Sequence, residues 1–316
     1  MGIKDENKLI NIIKRFETKK RRIIGSIGDD CAYLKEKEGK ILAISVDAQV
    51  EHVHFKREWL PPYYIGYRAM ASCLSDLASK GAKPILAIVD MHITHKDDEE
   101  FIEDVYKGMY SLSKRFRFSI AGGNISHSNV FSLSITVIGE LEGNIPERNK
   151  AKPGDFVYLT GDVGRSRLFL ELVGREEIPE EVFAKFAMPS LRFNIMTDVM
   201  SKYRINASMD ISDGLGIDAQ RIAMESNVDI YIYEDRVPLH PMLKKYGRDV
   251  LFALESGEEY EVLFTTKDHI KRKHVSLIGE IKEGSGKVFL KRASLDLIDI
   301  GSLGFDHIKG DNLKHP

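Results

Sequence analysis

Four short stretches place aspartates where a strand or helix would otherwise be apolar. They are Gly28-Asp29-Asp30, Ser45-Val46-Asp47, Leu74-Ser75-Asp76-Leu77 and Met209-Asp210-Ile211-Ser212-Asp213-Gly214. A buried carboxylate is costly unless it is paired, hydrogen-bonded or bound to a cation. Oxygen donors with no Cys or His among them suit Mg²⁺, and Mg²⁺ held by a few carboxylates usually holds a nucleotide's phosphates as well. Such a set points to phosphoryl transfer. The sequence has no GxxxxGK[ST] loop, no GxGxxG after a strand, and neither HRD nor DFG. A nucleotide would therefore be held mainly through metal ions and backbone amides, a chemistry of positioning and charge neutralisation.

Each carboxylate has a plainer role to weigh against this one. Asp213 opens a predicted helix, where it could simply cap free amides. Asp76 lies on the Ser72/Asp76/Lys80 side of a helical pattern and could face solvent. Asp47 ends an apolar strand and is the hardest to explain structurally. Asp29 reads as a turn residue rather than a ligand. His52 and His54 project to the same side of a segment read as extended, but with oxygen donors everywhere else a His-bound metal is not expected. Tyr67, Met70 and Tyr106 fall at helical spacing and read as core.

The elements that must position these groups follow from hydrophobic period and punctuation. Residues 5–17 have the pattern of an amphipathic helix, and Ile41 to Val46 that of a strand ending at Asp47. Pro61-Pro62 opens a helix that Gly81 and Pro84 close. A strand at Ile85 to Ile93 precedes a helix whose first turn is acidic, from Asp97 to Glu100, which suits the helix dipole. Ser119 to Ala121 and Phe131 to Leu141 are further strands flanking Gly122-Gly123. Gly143 to Gly154, with two prolines and several charges, reads as a boundary between an N-terminal domain, 1–143, and a C-terminal one, 150–316. Beyond it the pattern predicts a strand at Phe156 to Thr160, helices near 164–174 and 189–203, and a strand into Asp210. A helix from Asp213 to Glu225, a strand at Asp229 to Tyr233, another helix, and strands at Glu261 to Thr265 and Val275 to Ile281 complete it. The fold class is α/β, or mixed α+β, in two domains.

With 316 residues, 43% hydrophobic and 30% charged, the chain has the composition of a soluble globular protein. Its formal net charge of −2 offers no global attraction to nucleic acid or anionic membrane. The basic cluster Lys19-Lys20-Arg21-Arg22 reads as a solvated turn. Cys31 and Cys73 alone make neither a disulfide framework nor a zinc site. With no signal core and no bilayer-length apolar stretch, the expected compartment is the cytoplasm.

Read together and in order, the segments resemble the thiamine-monophosphate kinase family. This family belongs to the superfamily that also holds aminoimidazole ribonucleotide synthetase, selenophosphate synthetase and the hydrogenase-maturation dehydratase. The matching stretches are 27–32, 43–47, 50–55, 74–82, Gly122-Gly123-Asn124, Lys152-Pro153-Gly154-Asp155, 209–215 and 257–261. The resemblance implies the two-domain aminoimidazole ribonucleotide synthetase-like architecture, with N-terminal sheets pairing across a homodimer and a C-terminal α/β domain. It implies in-line transfer of the ATP γ-phosphoryl group to thiamine monophosphate, with several Mg²⁺ ions and no covalent protein nucleophile. Carried over residue by residue, Asp30, Ser45, Asp47, Asp76, Asp210 and Asp213 would coordinate Mg²⁺, together with the position of Val46. Gly123, Asn124, Arg148 and Ser212 would sit at the nucleotide, and His54, Glu258 and Phe305 would line the thiamine pocket.

The chain departs from that family pattern at three places. Asn124 stands where the family has Asp, offering a carbonyl oxygen but no charge. Val46 replaces Thr, a change of little consequence if the backbone carbonyl is the ligand. Ser256 and Glu259 replace Gly and Asp, and Ser256 disfavours positive φ. The alternatives are another ATP-using enzyme of the same superfamily and a weakly active nucleotide-binding regulatory paralogue. Against the first, the Gly-Val-Gly-Thr-Lys stretch, the terminal cysteine and the N-terminal loop cysteine of the other members are missing.

Overall fold

The structure, a computed structural model, describes residues 6–18, 20–25, 27–36 and 39–305. In chain order the first half comprises α1 (Glu6–Lys14), β1 (Ile23–Ile24), β2 (Ala32–Lys35), β3 (Ile41–Val50), α2 (Pro62–Ser79), β4 (Lys83–Ile93), α3 (Glu99–Phe116), β5 (Ser119–His127) and β6 (Ser132–Leu141). The second half begins with β7 (Phe156–Thr160), α4 (Arg165–Leu172), α5 (Glu180–Ala187), α6 (Phe193–Lys202), β8 (Ala207–Asp210), α7 (Leu215–Ser226) and β9 (Val228–Tyr233). It ends with α8 (Pro241–Lys245), α9 (Val250–Leu254), β10 (Val262–Thr266), β11 (Val275–Glu283), β12 (Val288–Lys291) and β13 (Leu297–Asp299).

Two mixed sheets organise these elements, one with strand order β1-β2-β3-β6-β4-β5 and the other β13-β12-β9-β11-β7-β10-β8. In the first, β6 alternates strictly between buried and half-buried residues, the signature of a strand covered on one side. Helices α2 and α3 cover the inner face. The outer face keeps Val46 and Ile88 exposed, at 65% and 41%. The residues of β7, β8 and β10 in the second sheet are almost wholly buried.

Helix α2 packs against α3, β3 and β6 on one side and against β8, α5 and α6 of the second half on the other. This explains why it is apolar nearly all round, with Leu74, Leu77 and Cys73 fully buried. Pro62 occupies its first turn, and Gly81, at φ +67°, lets the chain turn away after it. Where α2 crosses α3, Gly66 and Gly108 are required by proximity: a Cβ on either would lie 1.8 Å from Val105 O and 1.9 Å from Tyr63 O.

Several sequence expectations need correction. Strand β3 continues past Asp47 to Val50, because its pairing with β6 holds to the Val50–Ser132 register. Strand β5 runs through Gly122-Gly123 instead of stopping before them. Gly123 has a packing reason to be there, since a Cβ would meet Val89 O at 1.9 Å. Helix α7 begins at Leu215, not at Asp213. The segment with His52 and His54 is a tight turn, with His54 N donating to Val50 O at 2.9 Å and His52 at φ +69°. Strands β1, β2, β12 and β13 and helix α5 were not expected from pattern alone. Among the described residues, no helix is long and apolar enough to cross a membrane.

Candidate active site

A cavity of about 660 Å³ opens between residues contributed by both halves of the chain. Of the positions singled out in the sequence, Asp30, Ser45, Val46, Asp47, Asp76, Arg148, Asp210, Ser212, Asp213, His54, Glu258 and Phe305 all line it. Gly123 and Asn124 do not. Asn124 is exposed on β5 and donates from Nδ2 to Asp90 Oδ1 at 3.0 Å. The register Asp47–Ile135–Val89–Gly123 puts three strand spacings between Asp47 and its neighbour, roughly 14 Å at the usual ~4.8 Å per strand.

The acidic centre comes from three separate elements. Asp30 follows the turn before β2, Asp76 projects from α2, and Asp210 ends β8; one carboxylate oxygen of each lies within 4.8 Å of the others. Ser45 Oγ donates to Asp76 Oδ2. Burial lifts the Asp76 carboxyl well above its usual range, the charges of Asp210 and Asp30 add to the rise, and the Ser45 hydrogen bond opposes it. Burial, with Asp30 second, likewise pushes Asp210 up to about 8. Close like charges cannot all ionise without a counter-cation. A convergent all-oxygen donor set under this strain fits a hard divalent ion.

Asp30 behaves differently. Burial alone would raise it, but Arg148 and Lys80 outweigh burial and hold its carboxyl below the usual value. Arg148 Nη2 and Lys80 Nζ both pair with it, the latter at 2.8 Å. Asp29 accepts from Asp30 N at 2.9 Å, Tyr33 Oη at 3.0 Å and Lys80 Nζ at 2.7 Å, the pattern of a turn-fixing residue.

At the entry to α7 the division of labour is not the one the sequence suggests. Asp218, in the first helical turn, accepts the amides of Ser212, Asp213 and Gly214 at 3.0–3.1 Å on a single oxygen, Oδ2. The capping role weighed for Asp213 thus belongs to Asp218. Asp213 is left facing the cavity, paired with Arg221 Nη2 at 2.5 Å.

The lining also carries aromatic and glutamate side chains, Trp59, Tyr260, Phe305, His54, Glu255 and Glu258. His54 Nδ1 accepts from Val50 N at 3.0 Å, which leaves Nε2 as the protonated nitrogen of a neutral ring. Glu258 and Tyr260 both adopt positive φ, +56° and +52°, an uncommon state for non-glycine residues that costs of order 1–3 kcal/mol each. The neighbours hold this loop in place. Glu259, fully buried, accepts from Gly164 N at 2.7 Å, Ser166 N at 3.1 Å and Ser256 Oγ at 2.6 Å. Ser256 therefore serves the loop through its hydroxyl, and the positive φ expected to trouble it falls two residues later. Arg68, buried on α2, pairs with Glu258 Oε2, donates to Phe186 O at 2.6 Å and stacks 3.8 Å from the Phe186 ring centroid.

Lys80, Arg68, Asp218, Arg221 and Trp59 escaped sequence reasoning. Arg68 carried a readable signal, because Arg68 and Asp76 are the only charged residues in the otherwise apolar Pro62–Ser79 helix. Phe305 is the last described residue.

The arrangement is that of a known class. Residues 28–141 match the family described as AIR synthase related protein, N-terminal domain. Over a greater length the chain is 33% identical to a thiamine-monophosphate kinase of Aquifex aeolicus, covering 88% of this chain and 92% of that one. It is 32% identical to a thiamine-monophosphate kinase of Bacillus subtilis, covering 90% and 93%. A solved structure of AaThiL complexed with AMPPCP and TMP is similar at a TM-score of 0.83 and 31% identity, covering 95% of this chain and 98% of that one. The chain belongs to the thiamine-monophosphate kinase family.

Proposed function

We propose that this protein transfers the γ-phosphoryl group of ATP to the phosphate of thiamine monophosphate, releasing thiamine diphosphate and ADP. The observation that carries the reading is one cavity lined by two kinds of group: the Asp30–Asp76–Asp210 cluster, and a set of aromatic and glutamate side chains. The first suits polyphosphate bound with divalent ions, the second a cationic aromatic molecule. The related structure complexed with AMPPCP and TMP supports the same pairing of ligands.

Asp30, Ser45, Asp47, Asp76, Asp210 and Asp213, with the Val46 carbonyl, would hold Mg²⁺. When bound, Mg²⁺ supplies the positive charge that lets two phosphate groups approach and stabilises charge on the transferred group. The protein's own groups do the positioning. Arg148 keeps Asp30 ionised and, through Gly28 O, holds the turn that carries it at the cavity. The Ser212 amide is taken by Asp218, so its hydroxyl is the group left for a phosphate oxygen. His54, Glu258 and Phe305 enclose the thiamine moiety, with Arg68 fixing the Glu258 carboxylate. No side chain need become phosphorylated.

The protein would act as a homodimer. Within one chain Asn124 lies outside the cavity and too far from Asp47 to share a metal ion with it, so a nucleotide role for Gly123 and Asn124 is met most simply by a second protomer. The outer face of the first sheet, with exposed Val46 and Ile88, is the surface that would join the two copies. We further take residues 1–143 and 150–316 as the two domains. The cytoplasm, where the free thiols of Cys31 and Cys73 would stay reduced, is the proposed compartment.

Incubation of the protein with ATP, Mg²⁺ and thiamine monophosphate, followed by chromatographic separation, tests the reading. Thiamine diphosphate in excess of enzyme supports it; ATP binding without turnover favours a regulatory protein instead.

A further inference from the structure

The most unusual charge in the molecule is the ammonium of Lys80, whose side chain has no exposure. Four oxygens surround it: Asp29 Oδ1 at 2.7 Å, Asp30 Oδ2 at 2.8 Å, Ser208 O at 2.6 Å and Pro146 O at 3.2 Å. They come from the turn before β2, from the segment joining the two sheets, and from β8 two residues before Asp210. An isolated buried ammonium is expensive, and only charge-assisted bonds to carboxylates and carbonyls make it tolerable. Two carboxylates and two carbonyls are also the donor set that a hard divalent ion takes. The ammonium stands in a cation position.

We propose that Lys80 is a built-in cation of the acidic centre, filling beside Asp29 and Asp30 a position that would otherwise accept a divalent ion, and so leaving exchangeable ions to the site that Asp30 shares with Asp76 and Asp210. The inference rests on the reading of the acidic centre as a divalent-cation site. Two further features agree with it. Asp30 is already neutralised by Lys80 and Arg148, whereas no cation pairs with Asp76 or Asp210 among the described ion pairs. The same ammonium ties the Asp29-Asp30 turn to β8, so it also sets the spacing between Asp30 and Asp210. In this respect Lys80 is a positioning residue, since it reaches bound ions only through its neighbours.

The test is a count of bound Mn²⁺, by equilibrium dialysis with electron paramagnetic detection of the free ion, on the full chain and on Lys80→Ala and Lys80→Arg. Removing the ammonium opens both the space and the charge, so Lys80→Ala should bind one more Mn²⁺ per protomer than the parent. Lys80→Arg, which keeps the charge, should bind the parental number. Equal numbers in the parent and Lys80→Ala overturn the inference and leave the functional reading standing; no Mn²⁺ bound by the parent overturns both. Should Lys80→Ala not fold in metal-free buffer, recovery of folded protein by millimolar Mn²⁺, but not by NaCl of equal ionic strength, supports the proposal. Failure of Mn²⁺ to recover it overturns the proposal.

Discussion

Replacing Asp210 by Asn should make the metal-free protein more stable while abolishing transfer. The carboxyl is 2% exposed and is pushed from 3.8 up to about 8, by burial first and by Asp30 second. Between those two values the native state keeps a proton that the unfolded chain gives up, so stability falls as pH rises through that window. Each tenfold change in a protonation equilibrium corresponds to about 1.4 kcal/mol. At pH 7 the unfolded carboxyl stands about three pH units above its own midpoint, which sets a ceiling of about 4 kcal/mol. Water penetration and relaxation of the neighbouring carboxylates should halve this to ~2 kcal/mol. Asn keeps the shape and carries no charge at any pH. In EDTA the variant should therefore melt roughly 3–6 °C above the parent at pH 8, the gap closing as pH falls toward 4. Saturating Mg²⁺ should reverse the order, because the parent gains binding free energy that the variant lacks. Calorimetric unfolding at pH 4.5 and pH 8, with EDTA and with Mg²⁺, covers all four conditions. An Asp210→Asn protein that melts below the parent in EDTA at both pH values would refute the electrostatic reasoning.

Asp47→Asn and Asp76→Asn should each lower turnover by orders of magnitude with far-ultraviolet dichroism and molecular mass unchanged; retained activity in both removes them from the metal site. If the site is shared between protomers, mixing inactive Asp47→Asn chains with Asn124→Ala chains should regenerate part of the parental activity through mixed dimers, and no recovery argues for sites confined to one chain. Trp59 is the sole tryptophan and lines the cavity beside Phe169, with ring centroids 6.5 Å apart. Its emission should thus change on adding thiamine monophosphate, and an unchanged spectrum at saturating substrate places the thiamine elsewhere. Arg68→Met leaves Glu258 without its buried partner, at a cost of about 2 kcal/mol for a carboxylate that is 23% exposed; KM for thiamine monophosphate should rise more than kcat falls.

The aspartates were legible because they interrupt apolar runs: a carboxylate after Ile41 to Val46 or within Leu74 to Leu77 has no cheap packing explanation. Their partners were not. Lys80 at the end of α2 reads as an ordinary complement to the helix dipole, and only three-dimensional proximity shows four oxygens around it. Pattern likewise placed the start of α7 at Asp213, because an acidic residue before a helix is a common cap. The competing Asp218, four residues beyond Gly214, took that role through tertiary geometry. Strand order is the other blind spot. Nothing local in β3, β4, β5 and β6 reveals that β6 inserts between β3 and β4, and that insertion is what carries Asn124 away from Asp47. The short strands β12 and β13 and the helix α5 depend on packing more than on their own periodicity. The second-half strand beside Asp210 was clearer, since β10 is fully buried and its Val262-Leu263-Phe264 reads as an apolar run.

Whether divalent ions join two phosphorylated molecules at the acidic centre is decided most directly by anomalous diffraction from crystals grown with Mn²⁺, AMPPCP and thiamine monophosphate. Manganese peaks bonded to Asp76 and Asp210, with the terminal phosphate of the nucleotide facing that of thiamine monophosphate, are the predicted result. Peaks remote from those carboxylates, or the two ligands in separate clefts, would contradict it.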